Sequence, residues 1–179
     1  RAPGGEGSHD VADEVQGGFG CTGSHFWAHQ LRGIVPDVVT MGKPMGNGHP
    51  VAGVAANAET VNAFRKAFRY FNTFGGNPVS CAAAMAVLEV IEDERLMQNA
   101  DAVGRYAKAG LDRLAAKHSL IGDVRGSGLF FGAELVVDRA GKTPAADIAT
   151  RVINDMRERG VLMGKLGIHQ CSTKIRPPM

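Results

Sequence analysis

Apolar residues in the first half of the chain occur in short runs that glycine-rich turns separate. Residues 11–15 (Val-Ala-Asp-Glu-Val) predict a short strand that ends in acidic side chains, and the glycines of residues 17–20 then turn the chain. A second β-rich run covers residues 35–41 and ends just before Lys43, and a third covers residues 51–56. Short apolar runs bounded by turn residues are typical of strands, so this half is predicted to contribute to a sheet.

Helical patterns dominate the middle of the chain. Asn77-Pro78 predicts a helix start, because Asn caps a first turn well and Pro suits the first helical position. The residues that follow, 79–91, are Ala-rich and apolar almost all round, so this helix is expected to be buried against a sheet. Beyond it, apolar positions recur at helical spacing with charges between them, which predicts a more exposed amphipathic helix. This change marks a candidate boundary between two domains, residues 1–93 and 94–179.

The last third of the chain alternates between strand and helix patterns. Strands are predicted over residues 121–125, 129–137, 161–163 and 173–175, and a helix is predicted over residues 145–159. Alternating helices and strands favour an α/β architecture in both domains.

The composition is that of an ordinary soluble globular protein. Of the 179 residues, 44% are hydrophobic and 21% are charged, and 20 basic residues against 18 acidic ones give a net charge of +2. This balance argues against nucleic acid or a membrane as a partner, and no apolar run is long enough to span a bilayer. The three cysteines are odd in number and far apart, which predicts reduced thiols and a cytoplasmic location.

Lys43 is the candidate catalytic residue. It stands between a β-like run and the glycine-rich residues 44–50, thirty positions after Asp13. Such a turn can hold one amine rigidly in a crowded pocket, and a buried carboxylate beside it can keep a pyridine nitrogen protonated. This pair suits pyridoxal phosphate chemistry, in which a lysine forms a Schiff base with the cofactor. Taken alone, Lys43 also fits a solvated surface lysine, and Asp13 also fits a carboxylate that caps a strand end.

Several motifs occur in a specific order along the chain. They are Asp13-Glu14-Val15-Gln16, Pro36-Asp37 with Lys43, the run from Asn72 to Pro78, Val124-Arg125-Gly126 with Gly128-Leu129, and Pro177-Pro178. From about Val11 onward, this order resembles the class III aminotransferases, which are fold-type I pyridoxal phosphate enzymes. Residues 41–50 and 71–81 look most like the branch that contains the ethanolamine-phosphate and phosphohydroxylysine phospho-lyases. The resemblance implies part of a large domain with a mixed, mostly parallel sheet, followed by an incomplete small α/β domain.

The resemblance also implies a role for each matching residue. Asp13 matches the residue that pairs with the pyridinium nitrogen, and Gln16 matches the residue near the ring hydroxyl. Lys43 matches the lysine of the Schiff base, which later moves the substrate proton. Thr73 matches the hydroxyl that binds the cofactor phosphate from the partner subunit, so a homodimer with shared active sites is implied.

The residues before the Pro-Pro pair bear on the substrate. Lys174 stands where many family members bind the substrate carboxylate with an Arg, and Arg176 is expected to point to the other face of the extended segment. Lys is a point charge that lacks the two-pronged geometry of Arg. This departure favours a substrate such as a phosphorylated amino alcohol over an ordinary α-amino acid.

Three interpretations of the function follow. The favoured one is amino-group transfer between an amine or amino acid and a keto acid or aldehyde. In the second, the same early steps lead to loss of a β-phosphate from a substrate such as phosphoethanolamine, which gives an aldehyde, ammonia and phosphate. In the third, the chain is a catalytically inactive fragment, because the family's N-terminal half, with its cup for the cofactor phosphate, does not precede Val11. Both ends are expected to be cuts through a longer protein.

Three histidines have no role in the resemblance. His25 and His29 have the i, i+4 spacing of a metal pair, but no third ligand accompanies them, so they are predicted to be packing or surface residues. His49 lies beside the glycine-rich turn and fits either a pocket residue or a residue that satisfies the turn.

Overall fold

The computed structural model describes residues 9–179, and these residues fall into two units. The first unit contains residues 9–20 together with His25–Leu96, and the second contains Cys21–Ser24 together with Met97–Met179. Each unit has one β-sheet. Within the described part of the chain, no helix is both long and apolar enough to span a membrane.

The sheet of the first unit has three strands, arranged in the order in which they occur in the sequence. They are β1 (Val11–Asp13), β2 (Val38–Met41) and β3 (Gly53–Ala56). β1 pairs with β2 in parallel, whereas β2 and β3 are antiparallel. The predicted mixed sheet is therefore confirmed, although parallel pairings are not the majority within residues 9–179. Since β1 and β2 are parallel, their carboxyl ends lie at the same edge of the sheet.

Helix α2 (Pro78–Asp93) begins where the sequence predicts, but it is not buried against a sheet. The Asn77 side chain accepts a hydrogen bond from Ser80 N at 3.0 Å and caps the first turn. Among its own residues only Ser80 and Ile91 are buried. Within residues 9–179, α2 packs on the 3-10 turn Lys43–Gly46 instead. An apolar pattern shows that a helix can be covered on every side, but it does not specify what covers it.

The sequence patterns do not predict α1 (Ala58–Ala67), which follows β3. Its apolar residues Val61 and Phe64 are exposed, so the helix has no buried stripe that periodicity would reveal. The signal that marks this helix is local. The Asn57 side chain accepts a hydrogen bond from Thr60 N at 2.8 Å and caps the first turn.

The second unit has two helices and a four-stranded sheet. Its elements, in chain order, are α3 (Leu96–Lys117), β4 (Ile121–Ser127), β5 (Phe130–Leu135), α4 (Ala146–Glu158), β6 (Gly164–Leu166) and β7 (Ser172–Lys174). The strands lie in the order β4-β5-β7-β6, and every pairing is antiparallel. The predicted α/β class is confirmed, but the strand predicted over residues 161–163 is wrong, since β6 begins only at Gly164.

Strand β5 forms the centre of the core of the second unit. Its alternate residues Phe131, Ala133 and Leu135 are buried, as expected for side chains that alternate between the two faces of a sheet. Phe131 packs with Ala100 of α3, and Leu135 packs with Ala149 of α4. Both helices therefore contact the same strand through its inward-facing residues.

Helix α3 lies directly on the backbone of the turn between β4 and β5. A Cβ atom at Gly104 would lie 2.1 Å from the carbonyl oxygen of Gly128, which is too close for any carbon–oxygen contact. Gly128 itself has a φ of +54°, and a Cβ atom there would lie 2.4 Å from the carbonyl carbon of Thr22. Glycine is therefore required at position 104 for the helix to approach this turn, and at position 128 for the turn to approach the backbone of Thr22.

The close approach of α3 leads to a paired prediction. Gly104→Ala should lower the free energy of unfolding by about 1–3 kcal/mol, because the backbone must move to admit the new methyl group. Gly110→Ala in the same helix should raise it by about 0.5–1 kcal/mol, since alanine favours a helix and the new Cβ would meet nothing nearer than Arg113 at 3.8 Å. Urea denaturation followed by circular dichroism measures both changes. Equal effects of the two substitutions would contradict this account of the packing.

Candidate active site

Asp13 and Lys43 lie at the same edge of the first unit's sheet. In the parallel pairing of β1 and β2, Asp13 is the register partner of Thr40, and Lys43 follows three residues later. Neighbouring strands lie about 4.8 Å apart, so the segment that carries Lys43 leaves the sheet beside the end of β1. A Cβ atom at Gly42 would lie 3.3 Å from Val15 Cγ1, which shows that the two segments are in direct contact after the strands end.

Lys43 begins a short 3-10 turn, Lys43–Gly46, where the sequence suggests a loop. Met45 N donates a hydrogen bond to Gly42 O at 2.7 Å, and His49 N donates one to Gly46 O at 2.9 Å, so the backbone on both sides of the turn is fixed. The Lys43 side chain is exposed. Residues 9–179 by themselves therefore hold the amine on a rigid turn but do not form the predicted crowded pocket around it.

The sequence predicts a buried carboxylate beside Lys43, and the structure corrects which carboxylate is buried. Asp13 is exposed, and its Oδ1 accepts a hydrogen bond from Val15 N at 3.0 Å. Glu14 is the buried one, with only 1% of its surface exposed. Successive side chains at a strand end point in opposite directions, and packing decides which of the two points inward.

Glu14 joins the segment after Asp13 to the 3-10 helix Ala28–Arg32. Its Oε1 lies 2.7 Å from both the backbone N and Nδ1 of His29, and its Oε2 accepts a hydrogen bond from Ala28 N at 2.9 Å. A buried carboxylate is tolerated where donors replace its lost water, as they do here. Glu14 thereby fixes the direction in which the chain leaves β1, immediately next to Asp13.

Gln16 lies in the turn that follows, and aromatic residues support this turn. Gly18 N donates a hydrogen bond to Glu14 O at 3.1 Å and closes the turn around Gln16. A Cβ atom at Gly18 would lie 2.9 Å from the ring of Trp27. Trp27 in turn packs with Phe26 at a centroid distance of 4.7 Å. Gln16 is therefore held three residues after Asp13 on a turn of defined shape.

His25 and His29, whose spacing would suit a metal pair, differ in burial. His29 contacts Glu14, whereas the side chain of His25 is exposed. Groups of three His, Cys, Asp or Glu side chains that could hold a metal ion are absent from residues 9–179. His29 therefore has a packing role, through the carboxylate of Glu14.

Thr73 lies in the exposed turn of residues 73–76, just before α2. The side chain of Asn72 accepts hydrogen bonds from Phe74 N at 3.1 Å and Gly75 N at 3.0 Å. Asn77 Nδ2 donates to Phe74 O at 2.8 Å from the other side. Two asparagine side chains thus determine the shape of the turn, while Thr73 stays at its surface.

His49 has a partner that the sequence does not reveal. Its Nε2 lies 2.8 Å from Ser80 Oγ, in the first turn of α2. His49 therefore contacts α2. This is neither of the two roles that the sequence leaves open, a pocket residue or a residue that satisfies its own turn. The sequence patterns assign no role to Ser80 or Glu14, because both act through residues that are distant in the chain.

Lys174 and Arg176 belong to the second unit, at and just beyond the end of β7. Ile175 between them packs against the core cluster that contains Phe131. The guanidinium carbon of Arg176 lies 5.3 Å from the centroid of the Phe130 ring. Because side chains in an extended segment repeat every two residues, Lys174 and Arg176 lie on the same side, opposite Ile175. The expectation that they face opposite sides is therefore wrong.

Comparison with known proteins relates this arrangement to a large family. The family described as aminotransferase class-III matches residues 9–179. The chain is 46% identical to the Caenorhabditis elegans protein named ethanolamine-phosphate phospho-lyase homolog 1, over 94% of this chain and 37% of that protein. It is 48% identical to the mitochondrial alanine–glyoxylate aminotransferase 2 homolog 2 of Arabidopsis thaliana, over 94% of this chain and 35% of that protein. The chain therefore spans just over a third of the length of these curated relatives.

Solved structures show a similar relationship. A phospholyase from Arthrobacter, solved in complex with phosphoethanolamine, is 46% identical and superposes with a TM-score of 0.88. The match covers 94% of this chain and 40% of the solved chain. An aminotransferase from Bacillus anthracis is 34% identical, with a TM-score of 0.84. The architecture described above is thus that of pyridoxal phosphate-dependent aminotransferases.

The contact between Glu14 and His29 can be tested by substitution at His29. His29→Leu should lower the free energy of unfolding by about 1.5–3 kcal/mol, because it leaves a buried carboxylate with one donor fewer. His29→Asn should cost less than about 1 kcal/mol, since its side-chain amide can donate from the position of Nδ1. Both values come from urea denaturation. If the Asn variant is as unstable as the Leu variant, the hydrogen bond to Glu14 is not what His29 contributes.

Proposed function

Because the chain belongs to the class III aminotransferase family, we propose that the protein transfers an amino group between an amine or amino acid and a keto acid or aldehyde, using pyridoxal phosphate. The observation that carries this proposal is the position of Asp13 and Lys43 at the carboxyl ends of two neighbouring parallel strands. An amine and a carboxylate at one sheet edge are the two groups that a pyridine aldehyde requires. The cofactor therefore fits the residues that are present.

Three residues of the first unit, Lys43, Asp13 and Gln16, have proposed tasks toward the cofactor. Lys43 Nζ would form the covalent bond to pyridoxal phosphate, and the carboxylate of Asp13 would hold the proton of its ring nitrogen. The side chain of Gln16 lies on the turn between them and binds the ring hydroxyl. When bound, pyridoxal phosphate acts as an electron sink for negative charge on the α-carbon of the substrate. When it is not bound to the cofactor, the amine of Lys43 would be placed to take and return the proton at that carbon.

We also propose a homodimer in which Thr73 binds the cofactor phosphate of the partner subunit. The support is an exposed aromatic segment, residues 64–74, that includes Thr73. Phe71 and Phe74 are 84% and 79% exposed, and the rings of Phe64 and Phe68 contact each other at a centroid distance of 5.4 Å. Contiguous exposed apolar side chains of this kind mark surfaces that bind other proteins.

The second candidate is phosphate elimination from a phosphorylated amino alcohol. Two observations favour it: Lys174 stands at the place of a carboxylate-binding Arg, and the Arthrobacter phospholyase was solved with phosphoethanolamine. Lys174 and Arg176 on one side of the extended segment form a cationic pair that suits an anionic substrate group. In this reaction Lys43 keeps its task, and the substrate loses phosphate instead of passing its amino group to an acceptor.

Three further assignments accompany the proposal. Residues 1–93 are assigned to the C-terminal part of a large cofactor-binding domain, and residues 94–179 to the start of a small domain. A cytoplasmic location fits cysteines that form no disulfide in the described residues, because disulfides are rare in reducing compartments. The third interpretation, an inactive fragment, is decided by the mass of the protein isolated from its source cells. A mass near that of the 18.9 kDa chain would favour the fragment.

Substitution of Lys43 tests the central assignment in the intact protein. Lys43→Ala should remove the visible absorption band of the bound cofactor and lower turnover by at least about 10²–10⁴-fold, the range for loss of a positioned proton-transfer group. Lys142→Ala, at an exposed turn of the second unit, is the matched control and should leave both unchanged. A band that survives the Lys43 substitution would refute the proposed covalent link.

An activity assay of the intact wild-type protein distinguishes the two candidate reactions. Phosphate release from phosphoethanolamine without any keto acid identifies the elimination, whereas amino transfer that depends on a keto acid or aldehyde identifies the aminotransferase. Wild-type protein that carries the cofactor and performs neither reaction on a panel of amines would contradict both candidates.

The proposed dimer can be tested at Phe71. Phe71→Asp should raise the dissociation constant of the dimer by about 30-fold or more, since an interface aromatic contributes on the order of 2 kcal/mol or more. Tyr106→Asp, at another aromatic that is 77% exposed in α3, should not change it. Light scattering across a dilution series measures both. A wild-type protein that stays monomeric at high concentration would exclude the shared active site.

A further inference from the structure

A chain of side-chain hydrogen bonds connects the Lys43 turn with the Thr73 turn. His49 lies just after the 3-10 turn of Lys43, and its Nε2 lies 2.8 Å from Ser80 Oγ. Ser80 is 9% exposed, so water has little access to this contact. His49 and Ser80 are 31 positions apart, and the bond therefore joins two segments that are distant in the sequence.

The connection continues from Ser80 to the residue after Thr73. Asn77 Nδ2 donates to Ser80 Oγ at 2.9 Å and to Phe74 O at 2.8 Å. The Asn77 Oδ1 accepts from Ser80 N at 3.0 Å, so both ends of this amide are occupied. The contacts between Asn77 and Ser80 would by themselves be ordinary helix capping. The bond to His49 is not part of any cap, and it is what extends the network to the Lys43 turn.

The donors and acceptors of this network match one another. A serine hydroxyl has one proton to donate and two lone pairs to accept with. Asn77 Nδ2 donates to one lone pair of Ser80 Oγ. The hydroxyl then either donates to His49 Nε2 or accepts from it, depending on the tautomer of the imidazole. No buried side-chain nitrogen or oxygen among the described residues lacks a hydrogen-bond partner, Ser80 included. Loss of the imidazole would leave a mostly buried hydroxyl with one partner fewer.

We infer that His49 is a positioning residue that, through Ser80 and Asn77, fixes the Lys43 turn against the Thr73 turn, so that the two segments proposed to contact the cofactor are placed as one body. The inference rests on the proposed function, because both segments are proposed to bind pyridoxal phosphate. In the proposed homodimer, Thr73 serves the partner's site. The same network then joins the lysine of one active site to the phosphate-binding hydroxyl of the other.

The test compares three variants of the intact protein, His49→Leu, His49→Gln and Ser80→Ala. Gln can place its amide where the imidazole has Nε2, so it should restore the contact that Leu removes. Titration of the cofactor-free protein should show the dissociation constant for pyridoxal phosphate raised by about 3–10-fold in the Leu variant, as expected for one lost hydrogen bond. The Gln variant should lie close to wild type. Equal defects in the Leu and Gln variants would overturn the inference.

Hydrogen exchange without cofactor gives a readout that does not depend on the proposed function. His49→Leu and Ser80→Ala should both speed exchange in the Lys43 turn and in residues 73–77, and the double variant should do no more than either single one. Faster exchange confined to the neighbourhood of the substituted residue would show a merely local role and overturn the inference. If wild-type protein binds no pyridoxal phosphate, the proposed function fails, and the exchange data still decide whether the two turns are coupled.

Discussion

Asp13 and Lys43 lie near each other because β1 and β2 pair in parallel, with Asp13 opposite Thr40. A parallel pair ends at one edge of its sheet, so whatever follows the two strands must share the same space. An antiparallel pairing of the same two strands would send Asp13 and Lys43 to opposite edges. The proposed chemistry, and the roles of Gln16 and the Lys43 turn, all depend on this one pairing.

Contacts beyond the strands then give this edge its shape. The buried carboxylate of Glu14 connects the end of β1 to the 3-10 helix that follows, and Gly42 packs on Val15 to bring the Lys43 turn alongside. His49 and Ser80 connect that turn to α2. Asp13, Lys43 and Thr73, which are proposed to act on the cofactor, are exposed, whereas Glu14 and Ser80, which take part in positioning them, are buried. This division is what a site needs if its reactive groups are to meet a ligand on a rigid support.

Parts of the site and the fold follow from local signals alone. Asn77-Pro78 predicts the start of α2, because a cap and its helix turn are neighbours in the chain. The acidic end of β1 and the position of Lys43 after β2 also follow from short apolar runs and the turns that bound them. The family resemblance, carried by motifs in sequence order, predicts the aminotransferase fold that the comparisons confirm.

The amino-acid sequence by itself determined the strand and helix positions near these signals, the family, and the residue types available for chemistry. Only the tertiary structure decided that Glu14 rather than Asp13 is buried and that α2 lies largely exposed within residues 9–179. The structure also decided that His49 bonds to Ser80. The physical reason is range: a cap or a turn is satisfied within a few residues, whereas burial and side-chain pairing depend on segments that meet only after the chain has folded.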